Sequence, residues 1–235
     1  DLLRRTETLS SLPPDATRPI AFEPKRLQLL ALGFLAQTSD AEQGNRYRQQ
    51  RVDRLEQIAG RSGEFAWDEA GRLAFLIKTR QQMAIAYEQI GLFAEMVISM
   101  EAALKDLATW LEQGGGYNSP VALRTLTNYL GLALLYPEPF GKKPPALLLN
   151  RLLDEAHEAL IVKPYTPPMT AMQRLQLQLL RAAYRYSVIG KGEREALMSA
   201  IEAARQDPDW QALPEQRADL ATELESLAIW LRERY

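Results

Sequence analysis

Between Ile77 and Trp110, apolar positions recur at steps of three and four with one interruption. Met83, Ala84, Tyr87 and Ile90 fall on one helical face, and Phe93, Met96, Val97, Met100, Ala103, Leu104 and Leu107 on another. Gly91 stands at the interruption, where a helix that ends needs a residue tolerant of positive φ. So short a connection makes the two helices antiparallel neighbours. Ala84 and Ala103 are small enough to let the backbones approach closely. One such hairpin leaves apolar surface uncovered, so the pattern requires helices on either side of it.

The same period predicts the rest of the chain. Pro13, Pro14, Pro19 and Pro24 deny a continuous helix, so 1–24 reads as an extended N-terminal linker before a single helical domain, 25–235. A helix over Lys25–Gln37 carries Leu27, Leu30, Phe34 and Leu35 as its apolar face. Ser39 or Asp40 caps the next, Ala41–Ala59, whose buried stripe is Tyr47, Val52, Leu55 and Ile58. The central hairpin opens at Trp67 and its first helix ends at Ile90. After GGGYNSP, Ser119-Pro120 is a cap and first-turn pair for Pro120–Tyr136, with Leu123, Leu126, Leu130 and Leu134 inward. The insertion PEPFGKKPP places Phe140 at a loop tip, where it either faces a partner or, the favoured reading, folds back as a plug. Further helices follow at Pro145–Val162, Met172–Ile189, Glu193–Arg205 and Pro214–Arg234. Along Met172–Ile189 the apolar positions are Leu175, Leu179, Ala182, Ala183 and Tyr186. Asp207-Pro208 stops the penultimate helix, and the last has one wet face, as a terminal cap requires.

The central hairpin resembles a tetratricopeptide repeat, a helix pair of about 34 residues. Tyr87, Gly91 and Ala103 match that family's Tyr, turn Gly and second-helix Ala; Arg80 stands where its Trp would be and Ala108 where its Pro would be. Leu130-Gly131, Ala159 with Pro164, and Ala196, Ala203 with Pro208 are similar tracts. The matching alanines 103, 159 and 203 are spaced more widely than the family period, the first gap being widened by PEPFGKKPP. The resemblance covers Ile77 to Trp210. It implies an all-α, right-handed α-α superhelix of about nine antiparallel helices. Its first helices would line a concave groove for a peptide or partner segment. The polar positions facing that groove would be Arg80, Gln81, Arg124, Asn128, Arg181 and Arg185. Arginine and asparagine there suit carboxylates or peptide backbone.

Composition trims the alternatives. A net charge of −2 is a poor footprint for phosphate backbones, so no nucleic-acid partner is expected. The absence of cysteine removes disulfides, thiol catalysis and zinc–thiolate sites, and one histidine removes His-rich metal centres. No apolar run approaches the ~20 residues of a membrane span, so no insertion is expected. The compartment expected is the cytoplasm. The chain starts at Asp1, not Met, so an upstream domain, anchor or signal is expected, and with a signal the periplasm would serve as well.

No catalytic constellation is visible, and no metal or cofactor is implied. His157 has no acid, nucleophile or metal beside it in the sequence and reads as structural. The run Arg46, Arg48, Arg51 and Arg54 is interleaved with Glu42, Asp53 and Glu56 and reads as a solvated face. GGG has neither a preceding strand nor a following Lys, which a phosphate cradle would need. The function expected is protein–protein interaction: a scaffold, adaptor or regulatory sensor domain of a larger bacterial-type protein. One alternative is an all-α enzyme using Asp68 and Glu69 or Asp154 and Glu155, although adjacent carboxylates on one helix point apart. The other is a homo-oligomeric subunit assembled through its end helices.

Overall fold

The computed structural model of the chain describes residues 23–62, 68–141, 147–160, 168–189 and 194–235. It begins with α1 (Glu23–Thr38), α2 (Ala41–Gly60), α3 (Glu69–Gln89) and α4 (Phe93–Glu112). Then come α5 (Pro120–Leu135), α6 (Pro137–Phe140), α7 (Leu147–Leu160), α8 (Pro168–Tyr184), α9 (Arg194–Arg205), α10 (Pro208–Gln216) and α11 (Ala218–Arg234). A π-helical turn, Arg185–Ile189, continues α8, and no strand occurs among the described residues. The linker expected over 1–24 lies outside these residues except at its end, where Glu23 and Pro24 already belong to α1. Trp67, Lys142 and Lys143 also lie outside them.

Among the described residues there are eleven α-helices where about nine are expected of the chain, for two local reasons. Pro137-Glu138-Pro139-Phe140 closes one helical turn, α6, inside the insertion. Asp207, expected only to stop α9, also caps α10 by accepting from the Asp209 N–H at 2.9 Å. Pro214, read as the start of the last helix, sits inside α10; the break falls at Arg217, whose φ of −154° and ψ of 83° are extended.

The chain divides into two compact units, Asp1–Gln113 and Gly114–Tyr235, where the sequence reads one domain over 25–235. In the first unit each helix packs on the next: α1 on α2, α2 on α3, α3 on α4. Asp40 caps α2, accepting from the Gln43 N–H at 2.9 Å. Gly91 has φ of 78° and completes a Schellman closure of α3. Its N–H reaches the Glu88 carbonyl at 3.1 Å and the Leu92 N–H reaches the Tyr87 carbonyl at 3.0 Å. Ala84 and Ala103 are fully buried in this hairpin with Ile77, Met96, Met100 and Leu107. Because α3 lies between α2 and α4, it is buried on more than one side, and Leu73, Phe75, Ala86 and Tyr87 are all covered.

Helix α1 departs from expectation. Leu27, Leu30 and Phe34 are exposed, while Ala31, Leu32 and Ala36 are buried. The reason lies in α2: a Cβ on Gly44 would stand 2.9 Å from the Ala36 carbonyl oxygen. The two backbones meet there, so α1 turns its small-residue side inward.

The second unit is organised around α8, which packs against α5, α7, α9, α10 and α11. Ser119 caps α5, accepting from the Ala122 N–H at 3.1 Å, and Leu123, Leu126, Leu130 and Leu134 are buried as the spacing predicts. Phe140 folds back as the plug reading expects, edge-on to Tyr129 at 5.1 Å. Arg174 on α8 bonds Asp207 and Asp209, each at 2.8 Å, and so pins the start of α10. Of the alanines that carry the repeat resemblance, Ala103 is buried and Ala159, Ala196 and Ala203 are exposed.

Two candidate clefts in the C-terminal unit

Two hollows open on different faces of α8. The first, about 350 Å³, lies between α5, α8 and α11. Leu135, Leu180, Leu227 and Trp230 give it apolar walls, and Thr127, Asn128, Gln176 and Glu223 supply polar atoms. Each helix contributes at steps of three or four residues: Asn128 and Leu135, with Gly131 between them; Gln176 and Leu180; Glu223, Leu227 and Trp230. The Gln176 amide donates to Glu223 Oε1 at 3.1 Å, joining α8 to α11 across it. A Cβ on Gly131 would meet nothing within 4 Å, so the absence of a side chain there leaves open space. Trp230 stands edge-on to Tyr235, and the Arg234 guanidinium lies 5.1 Å from its ring centre. A second bond from Arg234, to the Leu134 carbonyl at 3.1 Å, ties the end of α11 to α5.

The second hollow, about 380 Å³, lies between α7, α8 and α9. Its apolar lining is Ala182, Ala200, Ala203 and Ala204, and its polar side chains are His157, Gln178, Arg181, Arg185 and Asp207. Arg181 and Arg185 both donate to Asp154 Oδ1, at 2.6 and 3.1 Å. Burial and then the positive charges of Arg181 and Arg185 hold the His157 imidazole below its ordinary pKa, against smaller opposing effects of Asp154 and Glu158.

The six residues read from the sequence scatter. Arg80 is half-buried inside the first unit; its guanidinium donates to the Ala102 carbonyl at 3.0 Å and pairs with Asp106 at 2.8 Å. Gln81 is buried, 2% exposed, and is therefore no groove contact. Arg124 is exposed on α5, Asn128 lines the first hollow, and Arg181 and Arg185 line the second. Within the second unit, Arg181 and Arg185 line the same hollow. Trp230, Leu180 and Glu223 were missed, although their spacing marks single helix faces. That three such faces meet depends on long-range packing.

Each carboxylate of the pairs named for the enzyme alternative makes a bond within the fold. Asp68 caps α3 through the Gly71 N–H at 2.6 Å, and Glu69 pairs with Arg72. Asp154 takes the two arginines, and Glu155 accepts from the Tyr117 hydroxyl at 2.6 Å. No group of three or more acidic or histidine side chains is placed to hold a metal among the described residues. The basic run of α2 disperses into separate bonds: Arg46 to Glu42, Arg48 to Asn45 and Arg54 to Gln57 within the helix, and Arg51 to Gln82 on α3. No helix among the described residues is long and apolar enough to cross a membrane. Compared with family models, with curated proteins and with solved structures, the chain gives no match in any of the three.

Proposed function

We propose that this chain is a protein-interaction domain, a scaffold, adaptor or regulatory module, and that the hollow between α5, α8 and α11 seats an apolar anchor from a partner's peptide segment. The observation that carries this reading is Trp230, half-buried in an open cleft beside Leu135, Leu180 and Leu227, with amide and carboxylate groups at hand. Tryptophan is among the residues that most often dominate binding energy at an interface, and apolar walls around it suit an apolar anchor. Nearby polar side chains would fix the segment's direction through hydrogen bonds. The superhelical array that the tetratricopeptide resemblance implies belongs to the same reading. Support for it comes from α1 to α4, which pack in sequence; α8, with five packing partners, makes the second unit more bundle-like.

The test is selection of displayed peptides against the full chain, followed by calorimetric titration of the enriched sequences. Peptides with an apolar anchor should bind, and Trp230→Ala should weaken them by about thirtyfold, the equivalent of a 2 kcal/mol hot spot. Peptides that bind Trp230→Ala and Leu180→Glu as tightly as the parent chain would remove this cleft as the seat. A second reading, self-association, is favoured by the exposed stripe Leu27, Leu30 and Phe34 on α1. Sedimentation that stays monomeric across the micromolar range would dispose of it.

A further inference from the structure

The hollow between α7, α8 and α9 has no part in that reading, and its charges are unevenly held. The Arg181 side chain is only 14% exposed, whereas its acceptor, Asp154, is 58% exposed. Two guanidiniums share one oxygen, Asp154 Oδ1, although each has a fork of N–H groups suited to both oxygens of a carboxylate. Arg181 Nε is buried and has no hydrogen-bond partner. An unmet buried donor costs free energy, which a further acceptor within reach of this guanidinium would offset. Asp207, the other carboxylate at the rim, is already bonded by Arg174. Four alanines, Ala182, Ala200, Ala203 and Ala204, line the hollow beside the arginines, and their small side chains leave volume open. Arg185 also opens the π-helical turn, an irregularity frequent at functional sites.

We propose that this cleft binds a small organic monocarboxylate with a short apolar body, whose carboxylate displaces Asp154 from Arg181 and Arg185 while its hydrocarbon lies on Ala182, Ala200, Ala203 and Ala204. Asp154 is then a placeholder. Being exposed, Asp154 is hydrated once it leaves, and the incoming carboxylate keeps the largely buried Arg181 paired. The two arginines suit an anion: at His157 their influence exceeds that of Asp154 and Glu158. A cavity of about 380 Å³ falls within the range of small-molecule sites.

The experiment uses the full 235-residue chain, labelled with nitrogen-15, and follows arginine Nε–Hε resonances during titration with butyrate. Butyramide serves as the uncharged comparator and inorganic phosphate as the alternative anion. The Arg181 and Arg185 resonances should shift saturably with butyrate and stay still with butyramide. Removing the placeholder, in Asp154→Asn, should tighten butyrate about tenfold, and Arg185→Gln should weaken it by at least about tenfold. A structural ion pair would instead give Asp154→Asn lower stability and no gain in affinity. No saturable shift in the parent chain, equal shifts with butyramide, or undiminished binding in Arg185→Gln would each overturn the proposal. Saturation by phosphate at concentrations where butyrate has no effect would overturn the carboxylate assignment.

Discussion

Gly44 shows how one absent side chain sets a helix contact. In a helix interior, alanine ordinarily stabilises over glycine by about 1 kcal/mol. Here the added methyl would meet the Ala36 carbonyl oxygen at 2.9 Å, a backbone atom that moves only with α1. Gly44→Ala should therefore lower stability by about 1–3 kcal/mol, as overpacking does, read as a fall in the urea midpoint. A rise in the midpoint would mean that α1 and α2 do not touch there. Arg80 makes a second case. Its N–H is directed to the Ala102 carbonyl, so the nearby Asp106 carboxylate is held by charge and not by a hydrogen bond. Burial keeps the Asp106 pKa above its ordinary value, against the opposing pull of Arg80 and Arg72. Removing the cation leaves a half-buried carboxylate and a carbonyl with one donor fewer. Arg80→Ala should cost about 1–3 kcal/mol in chemical denaturation and leave peptide affinity at Trp230 unchanged. Lost binding without lost stability would return Arg80 to the role in recognition that the repeat resemblance implies.

At the scale of helices, α1 separates what a sequence carries from what packing decides. It has two plausible inner faces, one of large apolar residues and one of small residues around Ala31 and Ala36. Periodicity favours the first; the approach of Gly44 selects the second. Phe34, at 64% exposure, should thus tolerate serine with little loss, while Leu32→Ala should cost about 2–5 kcal/mol. Equal losses in thermal melts would contradict this orientation. Where the deciding chemistry is local, the sequence reading holds. Asp40 and Ser119 bond their own N-terminal turns, Gly91 supplies the positive φ that ends α3, and the buried face of α5 has no rival. The break between α10 and α11 was misplaced because proline marks helix starts, whereas Pro214 is retained inside α10, where Trp210 and Leu213 are buried. The candidate sites were legible only in pieces: Arg181 and Arg185 as one face of α8, Asn128 as one position on α5. Asp154 reaches the arginines from α7, and Trp230 approaches from α11, across sequence separations that helical periodicity does not encode.

Across the whole molecule, three tyrosine hydroxyls link folding to alkaline pH. In the first unit, burial and then the hydrogen bond to Glu56 push the Tyr87 hydroxyl above its ordinary pKa. Burial and then Glu155 do the same for Tyr117 in the second unit. Burial alone raises Tyr184, beneath the neighbours of α8, from 10.0 to about 12. In each case the folded state favours the neutral phenol, so the unfolded chain ionises first. The contribution is complete below pH 10, where neither state is charged, and is lost as pH rises from about 10 towards 12. For Tyr184 the loss should reach about 2–3 kcal/mol at the upper end. Urea midpoints measured from pH 8 to 12 should be level at first and then fall. In Tyr184→Phe the fall should be shallower, because one of the groups driving it is gone. A Tyr184→Phe curve parallel to that of the parent chain would show that this hydroxyl ionises as readily in the folded chain as in water. The packing of α8 at the centre of the second unit, on which both clefts rest, would then be looser than its burial indicates.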